Sequence, residues 1–587
     1  MQQEENRQEE KRITGYPSID KPWLKYYSEE AIQADLPNST VYEYLYECNR
    51  NYMEDVALVY YGKEIRYRDF FDMIDQIANA MLQIGLKVGD TVSVISMNCP
   101  ETLAVFYAAN KIGVIVDLEY PTQPEDTMKA SLQKFNPRIV FIMSTFVEFY
   151  ENCLHSYKEV HVIVLDISNY MGKPYQYIAR YQQKRAYQIV HKNKWIWLKK
   201  YIKETKEILK VDENTNAVAV IVQTSGTTGT PKKVMLSNRA INSIVWQYKA
   251  ANMGFARGDR YISIAPLFLS LGISLNCHGP LCLGLRTYLA PDPDDKKITA
   301  MFAKIKPQIF MGGPLHMCSI MQNKKCNEMN LSFLKILAIG GASMTEEQER
   351  CFQDFLDKHH SGVHLCTGYG MTELSATATT EMNGIQRIGS VGVPQIKVNT
   401  KIVDIESQKE LPYGEIGEIL FCTPGLMEGY MEGTEQVIER DEKGNRWIHT
   451  GDLGCVDRDG FVYIKGRIKR IYPIIDSKSN QYYKLFPDYI ERELQKNQIV
   501  KNCAVAVIHN VETFYEPIAF VVLKQEKKDV TKDLKQFLEE RMDAYLIPKQ
   551  WYFVERIPML PSGKIDYRQL EESALEKTSM SFNEWEG

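Results

Sequence analysis

The chain reads as an α/β protein built on parallel, doubly covered sheets, followed by an antiparallel β region and a small separate mixed α/β domain. Three observations predict this. Apolar runs of strand length alternate with stretches of helical period through much of the chain, and strands separated by helices of that length pair in parallel. A buried, β-rich run, Ala217-Val218-Ala219-Val220-Ile221-Val222, opens directly into a Gly/Thr-rich turn. Beyond about Ile388 the texture changes to short alternating runs broken by Gly and Pro.

In chain order, Phe70, Phe71, Ile74, Ile77, Ala78, Met81 and Leu82 recur on one face of a predicted helix. Gly85 and Gly89-Asp90 end it and turn the chain into a strand at Thr91–Ile95. The alternation returns at Leu334–Ile339, a strand closed by Gly340-Gly341. Thr345 and Gln348 then form a capping box for a helix reaching about Lys358. Gly414-Glu415-Ile416-Gly417-Glu418-Ile419 belongs to the antiparallel region, and about Lys469 to Gly587 forms the final domain.

At 587 residues the chain holds about four domain-sized units. With 44% apolar and 25% charged residues it has the make-up of a soluble globular protein, and a net charge of −5 offers nucleic acid no global attraction. The amino terminus, MQQEENRQEEKR, lacks the apolar centre of a signal peptide. The best span candidate, Leu271 to Ala290, is interrupted by Asn276, His278, Pro280 and Arg286. Twelve scattered cysteines with no CxxC pair read as small hydrophobes in a reducing compartment. The expectation is a cytoplasmic protein.

One segment departs from this background. Between Tyr175 and Lys210 stand ten Lys/Arg, only two acids (Glu204, Glu207) and seven aromatics: Tyr175, Tyr177, Tyr181, Tyr187, Trp195, Trp197 and Tyr201. Such a basic, aromatic helical insertion can lie on an anionic membrane surface. The alternative is a solvated helix pair whose aromatics pack on the domain beneath, with Lys200–Glu204 and Lys203–Glu207 as i,i+4 pairs.

The chemistry concentrates in five motifs. The turn Thr224-Ser225-Gly226-Thr227-Thr228-Gly229-Thr230-Pro231-Lys232-Lys233 offers backbone N–H groups, hydroxyls and the Lys232 ammonium to a polyphosphate, though its spacing is not that of a Walker loop. Gly368-Tyr369-Gly370-Met371-Thr372-Glu373 sets a ring able to stack on a base beside a hydroxyl and a carboxylate suited to Mg²⁺. Asp452 of Thr450-Gly451-Asp452, read as lying on a tight turn, can accept from two ribose hydroxyls. Gly466-Arg467-Ile468-Lys469 and Pro561-Ser562-Gly563-Lys564-Ile565-Asp566 complete the set.

In this order and at these separations the motifs resemble those of the adenylate-forming (AMP-binding) superfamily, which includes acyl-CoA synthetases such as the fatty-acid–CoA ligases. Gly340-Gly341-Ala342, Gly389-Ser390-Val391-Gly392-Val393-Pro394 and Pro424-Gly425-Leu426-Met427-Glu428-Gly429-Tyr430 support the match, which runs from about Thr40 to Leu570. The resemblance implies a large amino-terminal domain with two mixed or parallel sheets and a β-barrel-like subdomain, then a small mobile α+β lid. The boundaries carried over are an extension at 1–39, the large domain at 40–466 with the insertion at about 170–210, a hinge at 467–470 and the lid at 471–587. It also implies ATP-dependent activation of a carboxylic acid to an acyl-adenylate, then thioester formation with CoA. In that scheme Thr224, Ser225, Gly226, Thr227, Thr228, Gly229 and Lys232 hold phosphates, and Glu373 carries Mg²⁺. Thr372 meets the α-phosphate, Tyr369 stacks on adenine between Gly368 and Gly370, and Gly341 and Ala342 border the nucleotide. Asp452 and Arg467 fix the ribose, Lys564 neutralises the reacting groups, and Lys469 is the pivot.

Three departures shape the expectations. Leu269 stands in Pro266-Leu267-Phe268-Leu269 where related ligases carry histidine, and no acid is present to pair with an amino-acid ammonium, so an apolar or fatty acid is expected. Lys233 replaces a glycine, which costs roughly 1 kcal/mol if φ is positive and otherwise adds a charge near the nucleotide or in solvent. Arg470 replaces an acid, and the glycine-free stretch Asp476–Lys484 precedes a helix delayed to Phe486-Pro487-Asp488. That stretch normally meets the thiol-bearing arm, so the acceptor stays open between CoA, a carrier protein and an amine, with a non-catalytic binding protein as the alternative of a different class.

Overall fold

The computed structural model describes residues 13–157, 160–202, 216–224, 232–290, 292–342, 344–433, 437–476, 481–510, 513–525, 530–559 and 564–583. The periodic signals became the elements they predict: the helix Tyr67–Gln83, the strand Thr91–Ile95, and the helix Glu346–Lys358 with both halves of the Thr345/Gln348 capping box formed.

Two large sheets organise the amino-terminal part. In the first, the strands Leu365–Tyr369, Ile336–Ile339, Ile309–Gly312, Arg260–Ser263, Arg286–Leu289 and Val56–Tyr60 lie side by side in parallel, with short antiparallel strands at both edges. In the second, Val218–Gln223 joins Ile115–Glu119, Thr91–Ile95, Ile139–Met143 and His161–Leu165 in parallel, and Lys233–Ser237 returns antiparallel along Val218–Gln223. Helices such as Pro100–Lys111, buried along nearly its whole length, cover them; hence the near-continuous apolar runs of their strands.

The rejected membrane span, Leu271–Ala290, is core: Gly272–His278 forms a π-helical turn and is entirely buried. Gly272 is obligatory there, since a Cβ would sit 1.7 Å from the Pro266 carbonyl oxygen. No described helix is long and apolar enough to cross a membrane. All twelve cysteines are free, and seven of them are buried.

The third unit is not a barrel. It is an open, five-stranded antiparallel sheet of Asn399–Val403, Gly417–Cys422, Arg446–Val456, Ile438–Arg440 and Val462–Arg467. The long strand Arg446–Val456 pairs with Gly417–Cys422 on one edge and with the two short strands in succession on the other. Among the described residues nothing joins the outer strands, so the sheet has too few strands side by side to close.

The carboxy-terminal unit packs the helices Pro487–Gln495 and Val530–Glu539 on a sheet of Val500–Asn510, Phe514–Leu523 and Gln550–Phe553. The glycine-free stretch is a β-hairpin, Tyr472–Asp476 with Gln481–Leu485, and the delayed helix starts at Pro487 as read. The basic insertion is a helix pair, Tyr175–Gln182 and Lys184–Lys192, followed by a short strand, Ile196–Trp197, that extends the second sheet.

Candidate active site

The strands on either side of the Gly/Thr-rich stretch, Val218–Gln223 and Lys233–Ser237, pair antiparallel. Thr224 N–H donates to the Lys232 carbonyl at 2.9 Å, and Lys232 N–H donates to Thr224 Oγ1 at 2.9 Å, which pinches the stem shut. Ser225, Gly226, Thr227, Thr228 and Gly229 lie outside the described residues.

Lys233 corrects both expectations attached to it. It occupies ordinary strand backbone, so no strain arises, and it is only 6% exposed, so its charge reaches neither solvent nor nucleotide. Its Nζ donates to Asp117 Oδ1 at 2.5 Å and to Glu119 Oε1 at 2.9 Å, both fully buried. Gln223 Nε2, from the residue before Thr224, donates to Glu119 Oε2 at 3.0 Å. One polar hub therefore holds both feet of the loop. Burial pushes the Asp117 carboxyl well above its ordinary range, whereas the Lys233 ammonium and further donors keep Glu119 below its own. The Lys233 ammonium thus lies between the two carboxylates, within ion-pair distance of both.

The ends of two neighbouring parallel strands supply the next wall. Gly341, at φ +80° in open space, and the exposed Ala342 follow Ile336–Ile339, and Gly368 and Tyr369 end Leu365–Tyr369. Such carboxyl ends are where open α/β sheets accept ligands. Gly370 has no room for a side chain, because a Cβ would meet the Ala376 carbonyl oxygen at 1.7 Å. That close approach turns the chain into the 3₁₀ turn Thr372–Leu374, where Thr372 is half-buried and Glu373 buried. Tyr430 O–H donates to Glu373 Oε1 at 2.7 Å, and Lys232 Nζ lies 4.8 Å from the centre of the Tyr430 ring. Tyr430 thus connects the loop lysine to the candidate metal carboxylate.

Asp452 does not lie on a tight turn. It belongs to the strand Arg446–Val456, at an irregularity where Thr450, Gly451 and Asp452 face Ile419 alone. Gly451 takes φ +70°, and Thr450 Oγ1 donates to the Ile419 carbonyl at 2.7 Å. The bulge aims Asp452 at Tyr369, whose O–H donates to Oδ2 at 2.5 Å, while Arg467 Nε donates to Oδ1 at 3.0 Å. Burial raises the Asp452 pKa, and Arg467 opposes the shift. Each carboxylate oxygen retains lone-pair capacity for a further donor. The Tyr369 ring stacks on Phe421 with centroids 5.9 Å apart.

From the carboxy-terminal unit, a turn closed by the Met559–Ile565 bridge and by Asp566 N–H on the Pro558 carbonyl presents Lys564. Its charge interacts with Asp452, Glu373 and Arg467; burial, seconded by Arg467, lowers its pKa. Lys469 is exposed in the 3₁₀ turn Ile468–Arg470, at the junction of the two parts. Arg470 explains its departure from the expected acid: it forms ion pairs with Asp488 and Glu491, donates to the Val505 carbonyl and lies 3.7 Å from the Tyr567 ring centre. The carboxylates sit on the delayed helix, so the charges have exchanged places.

Glu373, Tyr369, Asp452, Arg467 and Lys564, far apart in sequence, therefore meet, with Lys232, Thr372 and Gly368 at their border. A family model for AMP-binding enzymes matches residues 45–431, and the model of the AMP-binding enzyme C-terminal domain matches residues 489–564. The chain belongs to the AMP-binding enzyme family. A long-chain-fatty-acid–CoA ligase of Bacillus subtilis is 27% identical over 95% of this chain and 98% of its own. Among solved structures, an anthranilate CoA ligase in complex with anthranoyl-AMP aligns with TM-score 0.76 at 21% identity, over 93% of this chain and 99% of its own. An amide bond synthetase of Marinactinospora thermotolerans aligns with TM-score 0.74 at 20% identity, over 91% and 99%. These similarities span both parts of the chain.

Sequence reading missed three contributors to this AMP-binding enzyme's site: Tyr430, Asp117 and Glu119. Tyr430 stood inside a quoted motif without a role. An acid at Asp117 and Glu119, two places apart in an otherwise apolar strand, was the available signal for a buried cation partner.

Proposed function

We propose that this enzyme is an AMP-forming acid–thiol ligase that activates an apolar carboxylic acid and passes the acyl group to CoA. The observation that carries the reading is the meeting of Lys564 with Glu373, Asp452 and Arg467, which gathers cations and carboxylates from both parts of the chain. A substrate carboxylate oxygen attacks the α-phosphorus of ATP, the bond to the bridging oxygen breaks, and pyrophosphate leaves. Two anions must approach, so neutralising charge is the main demand. Lys564 and Thr372 meet the reacting carboxylate and α-phosphate, the Thr224–Lys232 loop, Ser225 to Gly229 included, takes the outer phosphates, and Asp452 with Arg467 takes the ribose. Gly341, Ala342, Gly368, Tyr369 and Gly370 border the adenine, on which the Tyr369 ring stacks.

Glu373 suits Mg²⁺. It is one buried carboxylate, no cluster of three or more candidate ligands occurs among the described residues, and Mg²⁺ usually takes one or two carboxylates with substrate phosphates and water. When bound it supplies charge neutralisation at the phosphate oxygens.

In the second half-reaction a thiolate sulfur attacks the acyl carbonyl carbon and AMP leaves. The sites of the two steps are divided by rotation about Lys469, within a large domain at 40–466, a hinge at 467–470 and a lid at 471–587. The apolar stretch Leu267, Phe268 and Leu269, with no acid to pair with an ammonium, supports a fatty or other apolar acid, and with it a place in fatty-acid metabolism in the cytoplasm. The hairpin Tyr472–Leu485, in place of a glycine-bearing loop, favours a second reading in which a carrier-protein thiol or an amine accepts the acyl group.

Pyrophosphate release with ATP, Mg²⁺ and a panel of fatty, aryl and amino acids, with and without CoA, tests the proposal. Acid-dependent release that rises with CoA is expected. Adenylate accumulation without a CoA effect would favour the second reading, and no acid-dependent release from folded protein would refute catalysis.

A further inference from the structure

The insertion resolves into two faces. Ala179, Ala186, Ile189 and Val190 are buried against the domain, Tyr187 stacks near Trp197 at 4.4 Å, and Tyr201 O–H donates to the Ala80 carbonyl. The packed reading of the aromatics therefore holds for that half. The other half does not pack: Tyr175, Tyr177, Ile178 and Tyr181 are 45%, 58%, 52% and 70% exposed along the helix Tyr175–Gln182. Tyr61 adjoins them, its ring 5.3 Å from that of Tyr175.

Cations frame this stripe. Lys184 Nζ lies 4.3 Å from the Tyr181 ring centre and Lys173 Nζ 5.9 Å from that of Tyr177, with Arg180 exposed between them. From Ile167 to Lys203 the sequence contains no Asp or Glu, in a chain whose net charge is −5. Glu148 and Glu151, on the neighbouring segment, pair with Arg185 and Lys192.

We infer that the face carrying Tyr175, Tyr177, Ile178 and Tyr181 docks on an anionic lipid surface. Tyrosine rings suit the headgroup boundary because one end is apolar and the other wet. Lysine and arginine beside them gain from the negative potential of anionic lipids, which falls off within a Debye length. The helix is too short to span a bilayer and lies flat on its supporting domain, so it contacts the boundary without unfolding. A second copy is a poorer occupant, since a two-fold contact through this face would set cation against cation. The inference does not depend on which acid the enzyme activates.

Flotation of the full chain with phosphatidylglycerol and with phosphatidylcholine vesicles tests it. Binding to the anionic vesicles is expected, at least about tenfold weaker to the neutral ones and similarly weakened by high salt. Both a Y177S/I178S/Y181S variant and a K173E/K184E variant should lose about tenfold in binding while keeping acid-dependent pyrophosphate release in vesicle-free buffer. The changed side chains are on the exposed face, so folding is preserved, and circular dichroism checks it. No binding to anionic vesicles, or binding unchanged in both variants, would overturn the inference. So would a concentration-dependent dimer in sedimentation that the Y177S/I178S/Y181S change abolishes, which would assign the face to a second copy.

Discussion

Lys564 and Lys233 are both lysines with buried carboxylate neighbours, yet their surroundings assign them opposite work. Lys564, half-buried, feels one repelling cation, Arg467, and two attracting carboxylates, Asp452 and Glu373, all three of them site residues. Replacing it by alanine should lower the rate of acid-dependent pyrophosphate release by about 10²–10³-fold, the usual cost of one lost charge-stabilising donor, with little change in thermal stability. Single-turnover adenylate formation would measure it. Lys233 is instead bound directly by the two buried carboxylates of Asp117 and Glu119. Lys233→Met should cost about 3–5 kcal/mol in denaturant unfolding, since it strands Glu119 uncompensated. Because the same hub holds Gln223 and thereby the loop stem, the Michaelis constant for ATP should rise more than that for the acid. Equal effects on both constants would leave Lys233 a stability residue only.

At the scale of elements, the junction between the two parts is narrower than the motif suggested. Arg467 is tied through its side chain to Asp452 of the large part, whereas the Arg470 side chain meets Asp488, Glu491, Val505 and Tyr567, all in the carboxy-terminal part. In the proposed hinge at 467–470, rotation would then fall to Ile468 and Lys469. Lys469→Pro, which fixes φ near −65°, should leave adenylate formation within about threefold while slowing acyl transfer to the thiol by tenfold or more. Quenched-flow separation of pyrophosphate and thioester would show the split. Arg470→Ala is expected to act differently, destabilising the lid by about 3–5 kcal/mol because it leaves Glu491 buried and unpaired.

The whole molecule carries buried acids outside the site, and they set its response to pH. Glu101 is 3% exposed, accepts from Asn169 at 3.2 Å, and leaves Oε2 without a partner. Burial pushes its pKa from 4.5 to about 8. Between those values the unfolded chain has released a proton that the folded chain keeps, so Glu101 lowers stability progressively as pH rises through this window and has no such effect below it. Glu101→Gln should therefore gain about 1–3 kcal/mol near pH 8 and almost nothing near pH 4.5, read from melting curves at both. Glu381, with its pKa raised to about 7 by burial, adds a slope of the same sign.

Periodicity alone placed the helix Tyr67–Gln83, the capped helix Glu346–Lys358 and the strand that leads into the loop, because period and capping are local properties of the chain. The motifs, through the family they resemble, likewise singled out Glu373, Asp452, Arg467 and Lys564 as one set, because motif order and spacing are properties of the sequence. Only the tertiary structure decided that Lys233 is consumed by Asp117 and Glu119, that Asp452 projects from a bulged strand, that the third sheet stays open, and that some aromatics of the insertion pack on their neighbours while Tyr175, Tyr177 and Tyr181 stand exposed. Each of these depends on which distant strand or helix face lies opposite. A charge, a turn residue or an aromatic ring has the same sequence signature whether its partner is solvent, substrate or another buried side chain.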